Sequence, residues 1–255
     1  MSALRARCSN CRTFTAVALG SGYECHRCGS EFTAGLVRVP QAWGQGGEAL
    51  AEGARLELPF PETAVIERDT LEDQNRAIAA ALPERPLVLG GCCCAHIGAV
   101  RGLVERRGRL AVVWLDAHGD LNTPESSPSG NLWGMPLRKL LDDGIVAAED
   151  VALVGARSLD PGEVGYLAEA GIDDSVERAL SGTDSVYVAL DLDVLDPSEV
   201  EVFMPEPDGP SSTEIEAILR DLVARANLAG VGVTSGLLDA RNVPVVTRLL
   251  AAAGL

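Results

Sequence analysis

The stretch LAVVWLDAHGDLNTP, residues 110–124, decides the fold. Its first six residues are apolar, the length of a strand buried on both faces. It then turns acidic, with Asp116, His118 and Asp120 at alternate positions. Side chains two apart in extended chain project to one side, so Asp116 and His118 leave the strand tip together. The segment VYVALDLD, residues 186–193, repeats the device with Asp191 and Asp193 after a second apolar run.

Further runs of buried-strand length occupy 87–89, 151–154 and 230–234, the first ending at Gly90 and Gly91. Helix-forming residues without Gly or Pro fill 71–82. Ser211 and Glu214 have capping-box spacing, predicting a helix from there to about residue 227. Strands alternating with helices predict an α/β three-layer sandwich around a mostly parallel sheet. In such sheets ligands bind outside the carboxyl ends of the strands, so the two acidic tips are expected to meet in one crevice. A single Asp pair there is equally explained as a turn cap. Four carboxylates together repel unless cations neutralise them, and oxygen-rich ligation suits Mn(II) or a similar hard ion.

A second metal is expected upstream. Cys8-x-x-Cys11 and Cys25-x-x-Cys28, thirteen residues apart, let four thiolates converge on one structural zinc ion with no open position. Residues 1–40 are too short and too poor in apolar runs to fold around their own core, so they are expected to form a zinc ribbon. His26, between two of these cysteines, is expected to face solvent. The Gly-rich segment 44–53 reads as a linker and 55–255 as the main domain.

A formal net charge of −16 argues against a nucleic-acid partner, whose binding requires clustered Lys and Arg. No apolar stretch is long enough for a bilayer and residues 1–12 lack a secretory core, so a cytoplasmic protein without a membrane partner is expected.

The segments Asp116-Ala-His118-Gly-Asp120-Leu-Asn122-Thr123-Pro124, Ser129-Gly-Asn131 and Asp191-Leu-Asp193-Val-Leu-Asp196-Pro197 resemble the arginase (ureohydrolase) family. The resemblance covers about residues 60–255. It implies a hydrolase of non-peptide C–N bonds with two divalent ions, Mn(II) in the first instance, and a homo-oligomer. By that likeness Asp116 and Asp191 bridge the ions, Asp120 completes one site, and His118 with Asp193 completes the other. Asp120 and His118 are the catalytic groups it implies, Asp120 orienting the nucleophile and taking its proton. Asn122, Ser129, Asn131, Asp160 and Glu163 stand where the family holds the α-carboxylate and α-amino groups of its small-molecule substrate.

Three departures matter. Gly90-Gly91-Cys92-Cys93-Cys94 replaces the family's Gly-Gly-Asp-His-Ser turn, putting Cys93 at a metal-ligand position where a softer thiolate favours Zn or Fe(II). The alternative for Cys93 is an inert buried thiol, and Cys92 and Cys94 read as packing. Trp133 replaces a proton-shuttling His and narrows the pocket, and residues 233–235 lack the Glu that pairs with guanidinium. A buried cation without that partner is costly, so the head group is expected to be smaller, neutral or modified rather than that of plain arginine. A degenerate relative that binds metal or ligand without turnover, its ribbon a docking element, is the main alternative. A zinc deacetylase of small amines is a third reading, opposed by the presence of only three histidines. His96 can either face the site one turn after Cys93 or lie on a helix surface.

Overall fold

The computed structural model describes residues 5–255; the first four residues of the expected ribbon lie outside them. A small antiparallel sheet comes first, built from β1 (Arg5–Ala6), β2 (Ala16–Leu19), β3 (Gly22–Cys25) and β4 (Glu31–Phe32) in that order. The large sheet contains β5 (Gly35–Val39), β6 (Glu62–Val65), β7 (Pro86–Gly90), β8 (Ala111–Leu115), β9 (Val151–Val154), β10 (Ser185–Asp191) and β11 (Asn227–Thr234). Its spatial order is β6-β5-β7-β11-β10-β8-β9, and every pairing is parallel.

The helices are α1 (Glu48–Gly53), α2 (Leu71–Ala81), α3 (Cys94–Arg107), α4 (Pro136–Asp142), α5 (Pro161–Ala170), α6 (Val176–Leu180), α7 (Ser212–Arg225) and α8 (Asn242–Ala252). Strand alternation divides the core into two layers. Leu89, Val113, Leu115, Val188, Leu190 and Val233 pack against Ile215 and Leu219 of α7 and Val246 and Leu249 of α8. Val88, Val112, Trp114 and Tyr187 point the other way, onto Ile78 of α2, Ile97 and Val100 of α3, and Leu137 of α4. The result is the three-layer α/β sandwich expected from the sequence.

Local chemistry sets the ends of the expected helices. Thr70 accepts a hydrogen bond from the Asp73 N–H at 3.1 Å and starts α2 at Leu71. Ser211 and Glu214 close the capping box of α7, with the Ser211 N–H donating to Glu214 Oε2 at 2.8 Å and the Glu214 N–H to Ser211 Oγ at 3.3 Å.

Two expectations are corrected. β5 falls inside the range 1–40 assigned to the ribbon, yet it pairs with β6 and β7 in the large sheet. The segment 44–53 is not a free linker. It contains α1, and a Cβ at Gly44 would stand 2.3 Å from the Trp133 ring while one at Gly53 would stand 1.8 Å from the Gly236 carbonyl oxygen. These glycines permit close packing rather than flexibility. Among the described residues no helix is long and apolar enough to cross a membrane.

Candidate metal centre

Four neighbouring strands, β7, β11, β10 and β8, end side by side, and each delivers a functional group at its carboxyl tip. Gly90 closes β7, and the turn after it carries Cys93 to the start of α3. Thr234 closes β11 and is followed by Ser235, Asp191 closes β10, and Asp116 follows β8. Asp120 and Ser235 have φ of 55° and 63°, left-handed values that non-glycine residues seldom adopt outside functional turns.

Two trios of potential ligands emerge, with the ligand atoms of each mutually within 4.8 Å: Cys93, Asp116 and Asp191, and Asp116, His118 and Asp193. Asp116 belongs to both, the arrangement a bridging carboxylate requires. Asp120 stands outside both trios, but its Oδ2 is buried without any hydrogen-bond partner. An orphaned buried carboxylate oxygen beside such a cluster has the chemistry of a cation ligand. Oxygen, imidazole nitrogen and one thiol therefore fit a pair of divalent ions, and no Arg or Lys lines the cavity among the described residues.

The electrostatics agree. Burial, with the charge of Asp193 added, pushes the Asp191 carboxyl up to about 7, and burial with the charge of Asp116 pushes Asp193 up to about 6. Burial and the neighbouring Asp116 and Asp191 charges hold Asp120 well above the ordinary carboxyl range. Burial opposes the charged form of His118, but the carboxylates of Asp116 and Asp193 outweigh it and raise the imidazole to about 12. Burial and the charges of Asp120, Asp191 and Asp116 keep Cys93 a thiol, and its Sγ donates to Asp191 Oδ2 at 2.7 Å. A cation would reverse these preferences, because each ligand binds metal in its deprotonated form.

A cavity of about 230 Å³ opens above these groups and is lined by every residue assigned from the sequence to the metal pair and to substrate. Asn122 donates to Asp160 Oδ2 at 2.8 Å, joining two of those residues. Glu163 is buried, and its carboxylate accepts from the Leu121 N–H and the Asp160 N–H, both at 2.9 Å. It thus buttresses the turn after β8 against the start of α5. Asn131 accepts the Gln45 N–H at 2.9 Å, and Ser129 sits exposed at the rim. Trp133 is buried edge-on against Phe203, with ring centroids 6.1 Å apart, and fills the space left by Gly44. Ser235, at the strand tip lacking the family's Glu, donates its hydroxyl to Asp191 Oδ2.

Glu206 was not legible in advance. Its Oε1 lies 3.5 Å from His118 Nε2, while His118 Nδ1 faces Asp193 Oδ2 at 3.2 Å. A carboxylate on the outer ring nitrogen leaves Nδ1 to bind metal. The pair lies 88 positions apart in the chain, and no local pattern marks such contacts. His96 is buried within α3, neither in the cavity lining nor on a helix surface. Cys92 and Cys94 pack with Leu50 and Trp133, Cys92 also reaching the cavity wall.

The upstream cysteines also converge. Cys8 and Cys28 sulfurs are 3.7 Å apart, those of Cys11 and Cys25 3.5 Å, and all four lie within 4.8 Å of one another. A tetrahedron of Zn–S bonds of about 2.3 Å has an edge of about 3.8 Å. The Thr15 hydroxyl, 3.2 Å from Cys25 Sγ, pulls that thiol down to about 6. His26 is exposed, as expected.

A parallel α/β sandwich with paired acidic clusters sharing one carboxylate defines a class of protein suited to binding two metal ions at its strand tips. Residues 47–235 match the Arginase family, and the chain belongs to it. It is 35% identical over 161 residues to an arginase of Staphylococcus aureus, covering 51% of this chain and 53% of that protein. It is 38% identical over 162 residues to the arginase of Bacillus caldovelox, covering 50% and 54%. In these alignments the chain spans about half the length of the curated relatives it matches. The solved B. caldovelox arginase superposes with a TM-score of 0.70 at 27% identity, covering 86% of this chain and 96% of that one. An Entamoeba histolytica arginase in complex with L-ornithine shares the fold, with a TM-score of 0.75 at 22% identity over 86% and 97% of the two chains.

Proposed function

We propose that this chain hydrolyses a C–N bond in an amidine, guanidino or related head group of an amino-acid-like substrate, and that plain arginine is not that substrate. Cys93, Asp116, Asp120 and Asp191 would hold one divalent ion and Asp116, His118, Asp191 and Asp193 the other. The carrying observation is the membership of Asp116 in both ligand trios, beside an Asp120 oxygen with no other partner. When bound, the ions supply a water-derived nucleophile at neutral pH and polarise the carbon it attacks.

The chain's own groups do the rest. Asp120, through the carboxylate oxygen left free of metal, takes the proton lost by the attacking water and returns it to the departing amine nitrogen. Asp160, with Asn122 hydrogen-bonded to it, receives an ammonium group, while Ser129 and Asn131 offer polar groups to a carboxylate at the rim. Glu163 contributes by holding this wall together. Trp133, Phe203 and Leu50 exclude water from the head-group end.

Mn(II) is the reference metal by family membership, with Zn(II) or Fe(II) favoured by Cys93 ligation. The first cysteine group holds a structural zinc ion in this reading, supported by the sulfur spacing. A homo-oligomer, as in the family resemblance, is tested by sedimentation equilibrium. The alternative of a ligand-binding relative without turnover draws on Trp133 and on the stretch 233–235, where the family has a proton-shuttling His and a guanidinium-pairing Glu respectively. The deciding experiment is a urea and ammonia release screen of Mn(II)-loaded protein against guanidino, ureido, formimino and amide amino acids. Release from one of these with little from arginine is expected. Inertness toward all of them in a protein carrying two ions would select the binding module.

A further inference from the structure

Behind Asp191, on the side away from the cavity, three polar side chains from three elements are buried together: His96 of α3, Tyr187 of β10 and Thr234 of β11. None lines the cavity. The Tyr187 hydroxyl lies 2.9 Å from His96 Nδ1, His96 Nε2 lies 3.2 Å from Thr234 Oγ1, and Thr234 Oγ1 lies 3.2 Å from Asp191 Oδ2. A carboxylate only accepts, so Thr234 spends its one proton on Asp191. Its oxygen must then accept from His96 Nε2–H. A neutral imidazole has no second proton, which leaves Nδ1 to accept from the Tyr187 O–H. Full burial holds His96 neutral by lowering its pKa to about 3. Every donor in the row thus points toward Asp191.

Cys93 Sγ, also 3.4 Å from Thr234 Oγ1, gives its proton to Asp191, and the surroundings fit the arrangement. A Cβ at Gly232 would stand 2.2 Å from the Tyr187 oxygen and 2.4 Å from His96 Nδ1, so the glycine leaves the space the pair occupies. The His96 ring sits edge-on between Trp114 and Tyr187, at centroid distances of 5.0 and 5.9 Å. Trp114 in turn donates its indole N–H to Asp116 Oδ2 at 3.1 Å, giving the other shared ligand its own rear support.

We propose that Tyr187, His96 and Thr234 form a one-way hydrogen-bond relay that orients the Asp191 carboxylate for metal binding. They are positioning residues, and the proposal rests on the metal-centre reading above. Outer-sphere partners of this kind typically change metal affinity by about 10- to 100-fold.

The test pairs calorimetric Mn(II) titration with nitrogen-15 NMR of the His96 ring. Thr234→Val keeps the side-chain shape without the hydroxyl and should weaken Mn(II) binding by about 10-fold or more. Thr234→Ser should recover most of the loss, and Tyr187→Phe should give an intermediate weakening with the fold retained by circular dichroism. With Asp191 ionised, the His96 ring should carry its proton on Nε2, with Nδ1 bare, both in metal-free protein and in protein loaded with Zn(II), whose diamagnetism keeps the ring signals visible. Thr234→Val binding Mn(II) as tightly as wild type, or a His96 ring protonated on Nδ1, would overturn the relay. Wild-type protein that takes up no Mn(II) would overturn the metal-centre reading and the relay's purpose with it, and the ring tautomer would still separate that failure from a wrong hydrogen-bond assignment.

Discussion

In the metal-free protein, Asp191→Asn should stabilise the fold at alkaline pH while destroying the metal pair. Burial raises the folded Asp191 carboxyl to about 7 against an ordinary value of 3.8. A folded carboxyl raised above its unfolded value contributes stability below the unfolded pKa and loses it as pH climbs through the folded one. The gap corresponds to about 4 kcal/mol at 1.36 kcal/mol per pH unit. Because the unfolded carboxyl is already ionised at pH 5, roughly 2 kcal/mol is lost by then, and the remainder, about 2 kcal/mol, disappears between pH 5 and 8. The substituted amide carries no charge to bury, although reorienting the Thr234 and Ser235 hydroxyls that now donate to Oδ2 costs about 1 kcal/mol. Urea unfolding of chelated wild type and variant at both pH values should show the wild type losing about 2 kcal/mol more stability than the variant. Adding Mn(II) at pH 8 should rescue the wild type and not the variant, since the metal binds the ionised carboxylate. A wild type whose metal-free stability is flat from pH 5 to 8, or a variant equally rescued by Mn(II), would refute the placement of Asp191 as a buried, cation-requiring ligand.

Replacing the thiol by imidazole in Cys93→His should shift the metal profile toward Mn(II) over Zn(II), read by competitive metal loading and elemental analysis; an unchanged profile would mean that sulfur does not ligate. Glu206→Gln removes the carboxylate from His118 Nε2 and should weaken one of the two Mn(II) sites by up to about 10-fold in calorimetry, leaving the four-cysteine site unaffected. Deleting residues 1–33 removes β1–β4 and the backbone pairing of Arg7 with Glu62. The truncated chain should keep most of its hydrolysis at a lower melting temperature, and an inactive but folded truncation would assign the ribbon a part in shaping the site.

The strand tips were legible because both acidic clusters follow apolar runs at alternate spacing, a pattern that survives without any knowledge of neighbours. Other elements lack such a pattern. α3 is buried over nine of its fourteen residues, so the contrast between a wet and a dry face that marks an amphipathic helix is absent. β6, at the sheet edge, reads ETAV and is nowhere fully buried. α1 hides in a Gly-rich segment whose glycines serve contact with Trp133 and the Gly236 backbone.

By itself the sequence determined the class of sheet, the meeting of two acidic strand tips, the thiol in place of the expected histidine, and the four-cysteine cluster, because each follows from local spacing, the alternation of strands with helices, or a short motif. The tertiary structure alone decided that Glu163 is a buttress, that Glu206 stands behind His118, and that His96 backs Asp191 through Thr234. Those relations join residues 42 to 138 positions apart across different strands and helices. Hydrogen bonds in a buried polar network are set by distances of a few tenths of an ångström, which packing decides and residue spacing does not.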